Sequence, residues 1–264
     1  MTGIPEAIEF KSFIPGLDDH YFTILLMMLL DYVIIFIIFA LGSINPTMKP
    51  KKAQNLVEWT VKYITDTADS IIGEQAPKYY GLIVMLFFYI LIGNFIGLVP
   101  GLTSPTSSLT VTAALAILVF FWYWIAGLIE VGPLKFFAHF TGGPGIPGPL
   151  KPFMFFVEML SDISRPLSLS FRLFGNLIAK EILLGVLVFL VIMFWPDLSS
   201  HEMLKKIIAG GIGGFAFLLR PLIIVLGTLV SIIQAGVFAL LTSIYLAGAV
   251  AAHHGDEHGE EHAH

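Results

Sequence analysis

The chain has 264 residues, of which 56% are hydrophobic and 12% charged, and its formal net charge is −5. Soluble domains average about 25% charged residues, so this composition excludes an ordinary soluble protein and indicates an integral membrane protein. The small negative charge provides no basic surface for nucleic acid, and the absence of cysteine excludes disulfides and thiolate metal sites.

The first 20 residues carry the wrong charge for a signal peptide. Glu6, Glu9, Asp18 and Asp19 stand against a single Lys11, whereas the first region of a signal peptide is positively charged. We therefore expect residues 1–20 to form an external N-terminal segment and the apolar run after them to be retained.

Five apolar segments predict an all-α, polytopic membrane protein with a single membrane domain over residues 21–252. The predicted spans are 21–41, 79–99, 111–129, 152–195 and 204–251. The last two would each reach about 65–70 Å as continuous helices, twice the length that a crossing needs. They are expected to form a hairpin of long, tilted helices, with bends at Pro166, Gly175 and Pro221.

Residues 51–73 have a different pattern, typical of an amphipathic helix. Their apolar positions recur every three or four residues, from Val57 through Val61 and Ile64 to Ala68, with charged side chains between them. This spacing predicts a helix that lies on the membrane surface or against a partner.

Lysine residues set the expected orientation. Lys49, Lys51 and Lys52 follow the first span, whereas the loop 100–110 after the second span has no basic residue. By the positive-inside rule the N-terminus is outside and the C-terminus is cytoplasmic, although Lys205 and Lys206 run against this assignment.

One permanent charge falls inside the fourth segment. Arg172 stays protonated at physiological pH, and at mid-bilayer such a charge costs about 2.5–3.5 kcal/mol on insertion scales. Three, four and seven residues away on a helix there is no carboxylate, and Asn176 offers only a hydrogen bond. The counter-charge must therefore come from another part of the chain or from another chain.

Glu181 follows Arg172 by nine residues, which places the two on opposite faces of a helix, about 13–14 Å apart along its axis. It has no basic residue three or four positions away, and Lys180 is its sequence neighbour. A carboxylate that faces water can accept and release protons. The alternative is that Arg172 and Glu181 are polar contacts between helices.

Other polar side chains in the apolar segments have simpler explanations. Asp162 and Arg165 are three residues apart and can form a local ion pair, with Glu158 one turn earlier. Asp31 is interpreted as a packed or water-facing carboxylate. In the last segment three polar residues share one face: Ser231, Gln234 and Tyr245. The Gln234 side chain is neutral, and its amide oxygen could accept a hydrogen bond from Arg172 without neutralising it.

Three motifs resemble subunit a of the F-type rotary ATP synthase, the stator of its membrane ion channel. They are the run from Pro166 through Arg172-Leu173-Phe174-Gly175-Asn176 to Glu181, the run Gln234-Ala235-Gly236-Val237-Phe238, and the run Gly93-Asn94-Phe95-Ile96-Gly97-Leu98-Val99-Pro100. The resemblance covers roughly residues 20–250.

The resemblance implies roles for individual residues. Arg172 corresponds to the essential arginine that faces a rotating ring of carboxylate-bearing hairpin subunits, with Asn176 and Gln234 beside it. Glu181 corresponds to the proton acceptor of the outer half-channel, and Glu158 and Ser168 match polar family positions. Where some members have a histidine, this chain has Gly227, so Glu181, water, Asp31 or Ser231 would have to carry the proton.

The function implied is that of a proton-channel stator subunit in the bacterial plasma membrane, which couples proton flow to ATP synthesis. Its partners would be the ring, the membrane subunit of the peripheral stalk, the lipid bilayer and, indirectly, the catalytic head. The sequence contains no Gly-x-x-x-x-Gly-Lys-[Ser/Thr] phosphate loop, so we expect no bound cofactor and no catalysis by this chain alone.

Two other classes of function are compatible with parts of the sequence. A stand-alone secondary transporter or channel would use Arg172 to bind an anionic substrate at mid-membrane. A membrane metalloenzyme would use the histidines of residues 253–264, but this stretch lacks apolar side chains and is predicted to be a disordered tail without a metal.

Overall fold

The computed structural model describes residues 10–12, 18–43, 52–99, 102–140, 147–194 and 203–251. Every regular element in these ranges is a helix, which confirms the prediction of an all-α fold. Helices satisfy their own backbone hydrogen bonds, and a long apolar segment in hydrocarbon has no water to satisfy them otherwise. The tail 253–264 and most of residues 1–20 lie outside the described residues.

Seven α-helices follow one another in the described ranges, and short 3₁₀ turns cover Gly73–Lys78, Pro105–Ser107 and Gly148–Leu150. The helices are α1 (Asp19–Ser43), α2 (Lys52–Ile72), α3 (Tyr80–Ile96), α4 (Leu109–Glu130), α5 (Pro133–His139), α6 (Lys151–Phe194) and α7 (Met203–Ala251).

The amphipathic helix α2 ends where a glycine permits a backbone turn. Gly73 has φ of 77°, the left-handed conformation that commonly terminates a helix and that glycine adopts without strain. The segment Gln54–Lys78, which includes Gly73, and the apolar helix that follows it, Tyr80–Ile96, are bent by 119° at the break between Lys78 and Tyr80. A surface orientation for α2 and a crossing orientation for α3 require such a bend.

Helices α6 and α7 are the longest elements, with 44 and 49 residues. At 1.5 Å per residue they correspond to about 66 and 74 Å. The helical assignment continues through Pro166 and Pro221, and bends at these positions stay predictions.

Three stretches of the described residues are long and apolar enough to cross a membrane by length and composition: Asp19–Ala40, Leu109–Glu130 and Pro221–Val250. The bent pair of α2 and α3 adds a fourth candidate. The chain is thus a polytopic helical protein, and the number of five spans stays a prediction.

The chain divides into two compact units, and α1, α3, α6 and α7 each contribute residues to both. Unit 1 comprises Met1–Ile35, Tyr89–Ser108 and Leu173–Gln234, and unit 2 comprises Phe36–Phe88, Leu109–Arg172 and Ala235–His264.

Unit 2 contains an aromatic cluster around Trp124 with one polar anchor. The Trp124 indole N–H donates to Asp162 Oδ2 at 2.8 Å, and Arg165 Nη1 lies 3.1 Å from Asp162 Oδ1. This confirms the predicted local pair of Asp162 and Arg165. Because both oxygens of the buried Asp162 carboxylate have partners, its charge is compensated within this unit.

Unit 1 contains the loop that follows α3, and this loop folds back onto the end of the helix. The Ser104 hydroxyl donates to the Gly93 carbonyl at 2.8 Å and lies 2.7 Å from the Thr106 hydroxyl. Thr106 Oγ1 in turn donates to Asn94 Oδ1 at 2.9 Å. Since the loop has no charged residue, its backbone and hydroxyls can be buried against the carbonyls that a helix leaves free at its C-terminus.

Gly97 permits this close approach, which makes it a test of the fold. A Cβ atom on Gly97 would lie 2.7 Å from Ser104 Cβ, so Gly97→Ala should push the loop away and destabilise the protein by about 1–3 kcal/mol, as overpacking does. The measurement is the midpoint of thermal denaturation in detergent. On α3, a Cβ atom at Gly81 meets nothing within 4 Å, so Gly81→Ala is the control and should leave the midpoint unchanged or higher. Equal midpoints for Gly97→Ala and wild type would contradict the packing described here.

Candidate functional site

A cavity of about 270 Å³ lies within unit 1, between the second half of α6 and the middle of α7. Its walls are apolar except for a small set of polar side chains, contributed by the end of α3, by α6 and by α7. These are Asn94, Asn176, Lys180, Ser231 and Gln234. One water molecule occupies about 30 Å³ in the liquid, so the cavity has room for several.

The amides of Asn176 and Gln234 join α6 to α7. Asn176 Nδ2 donates to Gln234 Oε1 at 2.8 Å, so the structure brings together two residues that the sequence analysis selected independently. Asn176 is exposed and Gln234 is buried. Gln234 Nε2 has no hydrogen-bond partner among the described residues, which leaves a donor available in the interior of unit 1.

Lys180 is the residue that sequence reasoning missed. Its side chain is 9% exposed, lines the cavity, and donates from Nζ to the Asn94 carbonyl at 3.3 Å. Asn94 lies in the last turn of α3, where backbone carbonyls lack partners and the helix dipole favours a cation by about 0.3–1 kcal/mol, or up to ~2 when partly buried. This is less than the cost of burying an ammonium group, and the adjacent Glu181 supplies additional attraction.

Gly227 on α7 faces the stem of Lys180. A Cβ atom at Gly227 would lie 3.0 Å from Lys180 Cδ and 3.1 Å from Leu98 Cδ2. The space that a histidine would need at position 227 is therefore occupied by the methylenes of Lys180.

Glu181 and Ser231 have different surroundings. Glu181 is half-buried and lies beside Ser107, from the loop after α3. Ser231 is buried, and its hydroxyl donates to the Gly227 carbonyl of its own helix at 2.7 Å. Ser231 can therefore accept a hydrogen bond within the cavity, but its proton is already committed.

Arg172 is the last residue of α6 that belongs to unit 2. Its side chain is exposed, and within the described ranges it forms no ion pair with a carboxylate. Ser168, one turn earlier, is also exposed, and Glu158 is half-buried. No carboxylate of the described chain therefore compensates the guanidinium charge.

Tyr245 also belongs to unit 2 and has partners there. The Arg165 guanidinium lies over its ring, 5.6 Å from the centroid, and the Tyr123 ring is 6.2 Å away. The face that was predicted to carry Ser231, Gln234 and Tyr245 thus places only the first two in the cavity lining.

In the part of the chain that the structure describes, no group of three or more histidine, aspartate or glutamate side chains is arranged to hold a metal ion.

These features define a class of protein: a polytopic helical membrane protein that has a largely apolar cavity with a few polar side chains, and an arginine that pairs with no carboxylate among the described residues. Residues 24–247 match the family ATP synthase A chain. The chain belongs to this family.

Bacterial relatives support the same assignment. The chain is 34% identical over 235 residues to ATP synthase subunit a of Campylobacter curvus, an alignment that covers 88% of this chain and 92% of the relative. It is 34% identical to the subunit of Desulfotalea psychrophila, over 99% of this chain and 92% of the relative. The subunit of Aquifex aeolicus is 36% identical, over 81% of this chain and 91% of the relative.

The contact between Lys180 and Gly227 can be tested by a double-mutant cycle. Gly227→His should destabilise the protein because the imidazole needs the space of the Lys180 stem, and Lys180→Ala should remove that conflict. We expect the double variant to be more stable than the sum of the single changes predicts, by about 1–2 kcal/mol, within the range found for residues in contact.

The measurement is the thermal midpoint of the four proteins in detergent. Gly213→His, on the same helix at a position where a Cβ atom meets nothing within 4 Å, controls for the effect of the histidine itself. Strict additivity of the two changes would rule out the contact.

Proposed function

We propose that this chain is the proton-channel stator subunit of an F-type ATP synthase. It provides two aqueous half-channels and a fixed cation, Arg172, and couples proton flow across the membrane to rotation of an adjacent ring and so to ATP synthesis. The observation that carries this proposal is the exposed guanidinium of Arg172, for which the described chain supplies no carboxylate.

The surface around Arg172 is suited to a partner helix that moves past it. Ser168, Arg172, Gly175 and Ala179 lie three or four residues apart along α6, Asn176 follows Gly175, and all five are exposed. The small side chains among them, at positions 168, 175 and 179, let another helix approach closely in a membrane. A partner helix that carries a carboxylate would supply the missing counter-charge each time it passed.

The proposed mechanism depends on the rotor carboxylate, which alternates between an ionised and a protonated form. Near Arg172 the rotor carboxylate is favoured in its ionised form, because an opposite charge stabilises it. Once past Arg172 it meets water in a half-channel, binds a proton and enters the lipid as a neutral group. Arg172 carries no proton and blocks direct leakage between the half-channels. Each elementary charge contributes about 2.3 kcal/mol per 100 mV, so several protons are needed for each ATP.

Glu181 and the cavity of unit 1 form the core of the proposed outer half-channel. The cavity has room for water, and its polar lining comes from Asn94, Lys180 and Gln234. Glu181 is half-buried beside Ser107 in the same unit. Because no imidazole is available at Gly227, Glu181 and water would pass the proton toward the rotor.

The remaining assignments follow the same proposal. Asn176 and Gln234 act as polar neighbours of Arg172, and Glu158, Ser168, Ser231 and Tyr245 are secondary positions. The N-terminus lies outside the bacterial plasma membrane and the C-terminus in the cytoplasm. The partners are the hairpin ring and the peripheral stalk, which should purify with the chain, whereas a stand-alone transporter would purify alone or as copies of itself.

Arg172→Ala should abolish proton-driven ATP synthesis, and Arg172→Lys should do so too, because a flexible ammonium does not reproduce the planar guanidinium. ATP hydrolysis by the detached catalytic head should persist. The measurement is ATP synthesis by liposomes that contain the purified complex, after an acid–base jump. Arg165→Lys, which keeps the ion pair with Asp162, is the matched control and should retain synthesis. Full coupled synthesis in the Arg172→Ala complex would falsify the assignment.

Glu181→Gln should slow proton entry rather than open a leak, because it removes a proton acceptor without removing the charge barrier at Arg172. We expect a lower rate of synthesis at every imposed gradient, with passive proton permeability like that of the wild type. Both quantities can be measured with a pH-sensitive dye in the same liposomes. A raised passive permeability in this variant would mean that Glu181 belongs to the barrier and not to the half-channel.

A further inference from the structure

Asp31 on α1 is a buried carboxylate with no role in the mechanism derived so far. Its side chain is 0% exposed, and neither Oδ1 nor Oδ2 has a hydrogen-bond partner among the described residues. Asp162 in unit 2 is a useful contrast, since a tryptophan N–H and an arginine satisfy its two oxygens. A buried carboxylate without such partners cannot remain ionised at low cost, so it must bind a proton, a small cation or water.

The surroundings of Asp31 belong to the loop that follows α3. A Cβ atom at Gly93 would lie 3.3 Å from Asp31 Oδ2, 3.4 Å from Pro105 Cγ and 3.6 Å from Thr106 Cγ2. The carboxylate, the start of the loop turn and the backbone of α3 therefore meet at one glycine, where the absence of a side chain leaves room for the carboxylate.

That same glycine begins a hydrogen-bonded track. The Gly93 carbonyl accepts from Ser104, whose hydroxyl lies 2.7 Å from that of Thr106, and Thr106 donates to Asn94. Asn94 lines the cavity together with Lys180 and Gln234. The track thus connects the surroundings of Asp31 with the cavity that holds the proposed outer half-channel.

Among the described residues, no charged or titratable group near Asp31 forms an ion pair or hydrogen bond that would hold it in one protonation state. Tyr89 on α3 has a buried hydroxyl without a partner among the described residues, and its ring lies 5.3 Å from that of Tyr32 on α1. The loop contributes hydroxyls and no charge. Lys180, the buried cation of this unit, is held by the Asn94 carbonyl and forms no ion pair with Asp31 in the described residues.

We propose that Asp31 is a second proton-binding carboxylate of the outer half-channel, which exchanges protons with water held beside the Ser104–Thr106–Asn94 hydrogen bonds and, through that water, with the cavity. The inference rests on the proposed function and adds a residue to it. Each step moves one proton and no electron: the carboxyl O–H bond breaks as a water molecule takes the proton and becomes hydronium, and the carboxylate later regains a proton from a hydronium ion of the outer water.

The test compares Asp31→Asn with wild type in liposomes that contain the complete complex. The amide keeps the shape of the carboxyl group but cannot release a proton in this range. Proton-driven ATP synthesis should fall by roughly tenfold or more, the lower end of what a positioned proton-transfer group contributes. Its dependence on outer pH should become flatter, and ATP hydrolysis measured in detergent should not change.

Thr23→Val is the matched control on the same helix. Thr23 is 3% exposed, and its hydroxyl donates to the Asp19 carbonyl and accepts from the Phe10 backbone N–H, both at 2.9 Å. Neither partner belongs to the surroundings of Asp31, so this variant should keep the wild-type rate and pH profile. Asp31→Ser, which leaves room for a water molecule, is the second test variant and should lose activity as Asp31→Asn does.

Several outcomes would overturn the proposal. The first is a wild-type rate and pH profile in Asp31→Asn. The second is failure of both Asp31 variants to assemble, which would assign the residue to folding. The third is a rate of ATP synthesis that sodium stimulates in wild type and that Asp31→Asn abolishes. If wild-type liposomes themselves make no ATP under an imposed gradient, the proposed function fails instead. The two failures are therefore distinguishable.

Discussion

A permanently charged guanidinium without a carboxylate of its own is the constraint on which the functional interpretation depends. Arg172 is exposed, and the described residues offer it no ion pair. In an apolar environment such a charge is costly, so it implies a partner that brings the opposite charge. The chain belongs to the ATP synthase A chain family, and under the proposed function this partner is a rotor carboxylate that arrives and leaves.

In unit 1, polar groups are paired in a different way: backbone carbonyls at the end of a helix accept hydrogen bonds from side chains. The last turn of α3 leaves carbonyls free, and Ser104 and Lys180 occupy two of them, at Gly93 and Asn94. This arrangement brings a loop and a cation to one side of a cavity. Among the described residues of unit 1, the buried side-chain atoms without a hydrogen-bond partner belong to Asp31, Tyr89 and Gln234. These three positions are where protons, water or a partner group can bind.

The sequence was most informative where a pattern extended over many residues. Long apolar runs predicted helices, three- and four-residue steps predicted the amphipathic α2, and spacing alone predicted the pair of Asp162 and Arg165. It was least informative for Lys180, whose helical position next to Glu181 gave no indication of its partner. A lysine side chain is long enough to reach several possible partners, and the Asn94 carbonyl that Lys180 binds is 86 residues away in sequence.

The sequence by itself determined the helical class, the membrane environment and the family, because composition, periodicity and motifs are properties of the chain that need no neighbours. Only the tertiary structure decided that Asn176 meets Gln234 and that the stem of Lys180 occupies the space beside Gly227. The same holds for Asp31, which lies against Gly93 and has no hydrogen-bond partner among the described residues. These are contacts between helices far apart in the chain. Their distances depend on how the helices pack, and local spacing does not encode that packing.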